Sequence, residues 1–147
     1  MTYEQAKDEL FGIVNTAIKA AIVANVIERI GVHYPGMNGA TEPPNDGYWC
    51  RVFYTTIRDN QASLAKLNGI SRYQALGQLV IQIYSPISVP GSLSGGNLLA
   101  ESVRTAYRAP SPSGVMSFSN QLVRELGNTK MHYLTTVMVE CTYDNYQ

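Results

Sequence analysis

The chain has 147 residues, 45% of them hydrophobic, which suits one ordinary domain with its own core and excludes global disorder. Eleven basic and eleven acidic side chains cancel, and charged residues make up only 15%, against an average of about 25%. A neutral, charge-poor chain argues against nucleic-acid binding, which needs a basic face, and favours burial against copies or partners.

From the N-terminus, Thr2 and Gln5 have capping-box spacing, with Glu4, Asp8 and Glu9 near the helix start. Ala6, Leu10, Ile13, Val14, Ala17, Ile18 and Ala21 recur at helical spacing, predicting an amphipathic helix to about Ala24-Asn25. Its polar side has only Lys7 and Lys19 as basic residues, which favours a core-facing stripe over a membrane surface. The N-terminus lacks signal-peptide order, and no apolar run reaches the roughly 20 residues that span a bilayer.

Val26 to Tyr34 reads as a short strand, and Pro35 to Gly47 as a long Pro/Gly/Asn loop. Tyr48 to Arg58 predicts a strong strand, with Trp49, Phe53 and Ile57 on one face and Cys50, Val52 and Tyr54 on the other. Asp59 to Arg72 is ambiguous, because Asn68-Gly69 breaks a loose helical pattern. Leu76 to Pro86 carries Leu79, Ile81 and Ile83 on one face and Val80, Gln82 and Tyr84 on the other. This predicts a central strand covered at least partly on both sides and stopped by Pro86.

Ser94 is the expected N-cap of a second helix, with Leu99, Val103 and Tyr107 on one face and Arg104 and Arg108 near its end. The run from Ala109 to Gly114 stops it. Val115–Ser119 and Gln121–Leu126 read as two short strands, with a turn at Gly127-Asn128. Met131 to Tyr143 is a half-buried strand, apolar at Val137, Val139 and Cys141 and polar at His132, Thr136 and Glu140. The order α-β-β-β-α-β-β-β predicts one α+β domain over residues 1–147. Two helices pack on one face of a mostly antiparallel or mixed sheet of about five to six strands.

Little in the chain points to catalysis. Gly91 and Gly96 have the spacing of a phosphate-binding loop, but Asn97 and Leu98 stand where lysine and a hydroxyl residue belong. The two histidines, His33 and His132, have no metal spacing or adjacent carboxylate, and His132 reads as a surface polar residue. The serines lack a nucleophile elbow. Cys50 and Cys141 belong to no Cys-x-x-Cys pair, which favours two buried thiols over a disulfide or a zinc site. No catalytic, cofactor-binding or metal residue is therefore assigned. Ten tyrosines are the compositional signal. Tyr34, Tyr48, Tyr54, Tyr73 and Tyr84, near loops and strand ends, are candidate interface residues, with plugging of the sheet edges as the equal alternative.

The assembled pattern resembles the tail terminator-like proteins of lambda-like long-tailed bacteriophages. It rests on the Tyr3-Glu4-Gln5-Ala6 helix, the run from Gly47 to Val52, and Gln61-Ala62-Ser63-Leu64. Arg72-Tyr73, Gly77, the run from Val80 to Pro86, Val123 to Gly127 and Val137 to Asp144 continue it over nearly the full length. Met131-His132-Tyr133 fits the start of the last strand only loosely. The resemblance implies a non-enzymatic structural protein without cofactor, capping the tail tube as a head-to-tail homo-hexameric ring, assembled in the host cytoplasm and ending in the virion tail. Its implied partners are copies of itself, the tail tube protein and a head-completion or neck protein, with no specific nucleic acid and no membrane. The loops Pro35–Gly47 and Asp59–Tyr73 are expected to carry ring or tube contacts. The alternatives are a head–tail neck or other minor tail protein and, in a different class, a small ligand-binding or enzymatic domain using the Gly91–Gly96 loop.

Overall fold

The computed structural model describes residues 1–36, 42–62 and 68–146. The elements are α1 (Tyr3–Val23), β1 (Gly31–His33), β2 (Trp49–Gln61), β3 (Arg72–Pro86), α2 (Ser92–Ala106), β4 (Met116–Asn128) and β5 (His132–Tyr146). They form an α+β fold whose five strands run in the spatial order β1-β2-β3-β5-β4. The sheet is mixed, since β1 lies parallel to β2 and every other neighbour is antiparallel.

The capping box forms as the spacing predicts. Gln5 N–H donates to Thr2 Oγ1 at 3.2 Å, and Thr2 N–H donates to Gln5 Oε1 at 2.9 Å. The helix ends in a left-handed residue, Asn25 at φ 57°, after which Val26 N–H reaches back to the Ala21 carbonyl at 3.0 Å. One face of α1 buries Ala6, Leu10, Val14 and Ile18, and α2 buries Leu99 and Val103, with Tyr107 buried at its C-cap. Both helices lie on the same side of the sheet, over Val52, Leu79, Ile81, Ile83, Val137 and Val139. Tyr107 ties the helices together, donating its hydroxyl to the Leu10 carbonyl at 2.6 Å.

Three expected boundaries move, each for a tertiary reason. The two ends of the ambiguous 59–72 region, Asp59–Gln61 and Arg72, are strand, because β2 and β3 stay paired from Trp49↔Tyr84 out to Gln61↔Tyr73. Cross-strand partners hold polar residues such as Asp59 and Gln74 extended despite their weak strand propensity. The two short strands expected after residue 115 are the single strand β4. A register shift between Ser119 and Leu122, with Asn120 at φ 51°, bends it. The shift changes which parity faces the core, from Phe118 before it to Val123 after it, and that is why one alternation could not describe the segment. The first strand is only Gly31–His33, within the expected 26–34.

The start of α2 also differs. Its N-cap is Gly91 at φ 76°, not Ser94, which already lies in the helix. Gly95 and Gly96 follow in the first turn and are packing glycines. A Cβ on Gly96 would overlap Ser85 Oγ, and one on Gly95 would come within 2.5 Å of the Tyr48 hydroxyl. The Gly-rich run therefore seats the helix end on β3, instead of serving as the flexible lead-in that its composition suggests.

Candidate functional site

The face of the sheet away from the helices is the candidate site. Strand alternation puts Leu79, Ile81 and Ile83 into the core and leaves Val80, Gln82 and Tyr84 half-buried on the other side. Among the described residues, cover on that second face is partial and lies at one end. There an aromatic row crosses four strands, with His33 stacked 6.0 Å from Trp49, Trp49 5.3 Å from Tyr84, and Tyr84 edge-on 5.9 Å from His132. His132 Nε2 lies 2.6 Å from the Pro44 carbonyl oxygen. A carbonyl only accepts, so the ring proton sits on Nε2. His132 is thus buried and hydrogen-bonded, a correction to its reading as a surface residue, and it pins the segment before β2 to the sheet.

Beyond this row the register lays out three more. The first is Arg51, Gln82, Thr136 and Arg124, in neighbouring positions on β2, β3, β5 and β4. The second is apolar: Phe53, Val80, Met138 and Leu122. The third is Thr55, Gln78, Glu140 and Ser119. Arg51 donates to Gln82 Oε1 from Nε at 3.2 Å and from Nη2 at 2.7 Å, and its guanidinium lies 5.9 Å from the Phe53 ring centre. Glu140 accepts from Asn120 Nδ2 at 2.7 Å. Neither Arg124 nor Glu140 has an ion-pair partner among the described residues.

The apolar row belongs to no part of the core. Phe53, Val80 and Met138 are half-buried and Leu122 is 43% exposed, with neither helix over them. A second unfilled apolar surface lies on the opposite side of the molecule. It is a groove of about 850 Å³ between α1 and α2, lined by Gly12, Ile13, Ala17, Ala20, Ala106 and Pro110 among others.

The five candidate tyrosines do not gather into one patch. Tyr34 packs on Phe11 at 4.9 Å, and burial raises its hydroxyl to about 12. Tyr48 donates to the Ser92 carbonyl at 3.1 Å. Tyr54 lies buried over Gly77 and stacks on Tyr3 at 5.4 Å, its hydroxyl pushed well up by desolvation. Tyr73 stands near the far end of β3 between Gln61 and Asn145. Tyr84 is the one on the open face. Of the loops expected to carry contacts, residues 37–41 and 63–67 lie outside the described residues.

Cys50 and Cys141 are both free and buried. Desolvation lifts their thiols to about 12 and about 11, so both are protonated and unreactive at neutral pH. Among the described residues no group of three or more His, Cys, Asp or Glu is placed to hold a metal ion. No helix among them is long and apolar enough to cross a membrane.

Sequence reasoning separated the two faces of β3 and noted Glu140 on the polar side of the last strand. It missed the apolar row, whose members lie far apart in the chain and meet only through strand register. No family model and no curated protein matches the chain. Among solved structures, one named only by a sequence identifier covers 90% of this chain and 94% of its own, at 10% identity and a TM-score of 0.46, a likeness that carries no functional argument.

Proposed function

We propose that the chain is a structural protein of a long-tailed phage or prophage that caps the tail tube. In this reading it ends tube polymerisation and presents a surface for head–tail joining, acting as a ring of copies without catalytic or cofactor chemistry. The observation that carries the reading is the pair of unfilled apolar surfaces on opposite sides of one small domain: the α1–α2 groove and the Phe53–Val80–Met138–Leu122 row. A cap must contact a neighbour and a tube end at once, and needs more than one such surface. The resemblance of the sequence pattern to tail terminators supports the same reading.

The rival ligand site at Gly91–Gly96 is disfavoured by packing, since Gly95 and Gly96 lie against Tyr48 and Ser85 and leave no space between helix and strand. The sheet edges are also poor docking sites. β2 has a bulge between Thr56 and Arg58, and β4 has two register shifts, devices that blunt strand-to-strand addition. Loops and faces are left to make the contacts. Deleting residues 37–43, which spares the Pro44 carbonyl bound to His132, is expected to abolish tail-length control while the domain still folds. Tails of normal length from the deletion variant would remove the Pro35–Gly47 loop from the capping contact.

A further inference from the structure

We propose that the open face of the sheet binds the same face of a second copy, about a two-fold axis running along the Phe53–Val80–Met138–Leu122 row. The inference goes beyond the tail-cap reading: it assigns one of the two apolar surfaces to a second copy and leaves the α1–α2 groove for the tube end. Three observations carry it: the placement of the rows, their unpaired charges and their area.

A two-fold axis along the apolar row sets each of its residues against its own counterpart. The same rotation exchanges the flanking rows. The row of Arg51, Gln82, Thr136 and Arg124 in one copy then faces the row of Thr55, Gln78, Glu140 and Ser119 in the other. Gln82 meets Gln78, two amides that can exchange hydrogen bonds. Arg124 on β4 comes within one strand spacing, about 4.8 Å, of the line of Glu140 on β5, well within a guanidinium's reach. Arg51, the third charge of these rows, is held by the Gln82 amide; Arg124 and Glu140 likewise have no ionic partner among the described residues of one chain. Within a single chain they stand two rows apart, one on either side of the apolar row, roughly 13 Å along the strands and too far to pair. Pairing two copies gives each of them its opposite charge.

The area is somewhat below that of a standard interface and fits a reversible pairing. Four strands about 4.8 Å apart and five rows about 7 Å apart cover roughly 650 Å² per copy. Stable interfaces bury about 800 Å² per partner. The outermost of these five rows hold Tyr84 and Leu134 on one side and Leu76 and Thr142 on the other, which the axis also brings together. Two aligned sheets packed face to face about 10 Å apart is a common solution for burying such faces. The contact does not use the α1–α2 groove, which stays available to another partner.

Sedimentation velocity on the full chain, at micromolar concentration and above, tests the pairing. The wild type is expected to form a reversible dimer. Met138→Arg and, separately, Leu122→Lys should give monomers with an unchanged circular dichroism spectrum. Glu140→Arg should weaken association by about a hundredfold through like-charge contact, and adding Arg124→Glu should restore it. Because the axis passes through residue 138, Met138→Cys should yield a disulfide-linked dimer under mild oxidation, whereas Ile57→Cys, exposed on the β2 bulge, should not. A wild type that stays monomeric throughout would overturn the pairing, as would an oligomer indifferent to both Met138→Arg and the charge exchange. Tube binding is read by a separate assay, so failure here is distinguishable from failure of the tail-cap reading.

Discussion

Gly77→Ala is expected to destabilise the domain by about 3 kcal/mol, the upper part of the usual range for overpacking a core. For a chain of this size that lowers the melting temperature by roughly 6–12 °C. Gly77 sits on the core face of β3, paired with Thr56 on one side and Cys141 on the other. A Cβ there would overlap the ring and hydroxyl of Tyr54, which is 6% exposed and itself stacked on Tyr3. The ring has no free space to swing into, so strand, ring or helix must shift. Tyr54→Leu in the same chain should recover part of the loss, because the shorter side chain vacates the overlap. Urea unfolding of both variants measures the coupling, and a single variant as stable as wild type would contradict the packing argument.

Raising the pH should unfold the protein earlier than a domain without buried acids of this kind. Cys50 and Cys141 are held protonated by burial, with thiols at about 12 and about 11 against an ordinary value of 9.0. In the unfolded chain they ionise near 9, so above that pH the unfolded state holds fewer protons than the folded one. Stability therefore falls as pH rises from about 9 towards 11 to 12, by roughly 1 kcal/mol per pH unit for each thiol. Over two pH units the pair removes about 4 kcal/mol, against a total stability of about 5–15 kcal/mol for such domains. The buried hydroxyls of Tyr34, Tyr54 and Tyr107 add to the fall above about pH 10, since desolvation also raises them. Unfolding free energies measured between about pH 8 and about pH 11 should decline steeply in wild type. The double variant Cys50→Ala, Cys141→Ala should start lower because of its small cavities, and decline less between pH 9 and 10. Identical slopes would show that the thiols are not protonated by burial.

The helices and the two central strands were legible because their signals are local. Capping by Thr2 and Gln5, the 3.6-residue recurrence through Ile18, and the alternation of Leu79, Ile81 and Ile83 each operate within one element. The ends of β2 and β3 were not legible. Asp59, Asn60, Gln74 and their neighbours are extended because a partner strand lies beside them, and nothing within the segment records the partner. β4 was divided in two for a related reason, since Asn120 reverses the alternation on which strand reading depends.

The candidate site shows the same division. Tyrosine enrichment pointed to interfaces, yet Tyr34, Tyr48 and Tyr54 are engaged by Phe11, Ser92 and Tyr3 inside the domain. The open face is instead marked by Phe53, Val80, Met138 and Leu122, single apolar residues drawn from four strands. Each looks ordinary in its own segment. Only the register makes them a row, and the row is a surface because neither α1 nor α2 lies over it. His132 was misjudged similarly, because its partner, the Pro44 carbonyl, lies 88 residues away.

The most direct test of the tail-cap proposal is to add the purified chain to its cognate tube protein during polymerisation and to image the products by electron microscopy. Tubes are expected to stop growing, with a ring of the added chain at one end. Tubes that lengthen as they do without it, with no protein bound at either end, would contradict it.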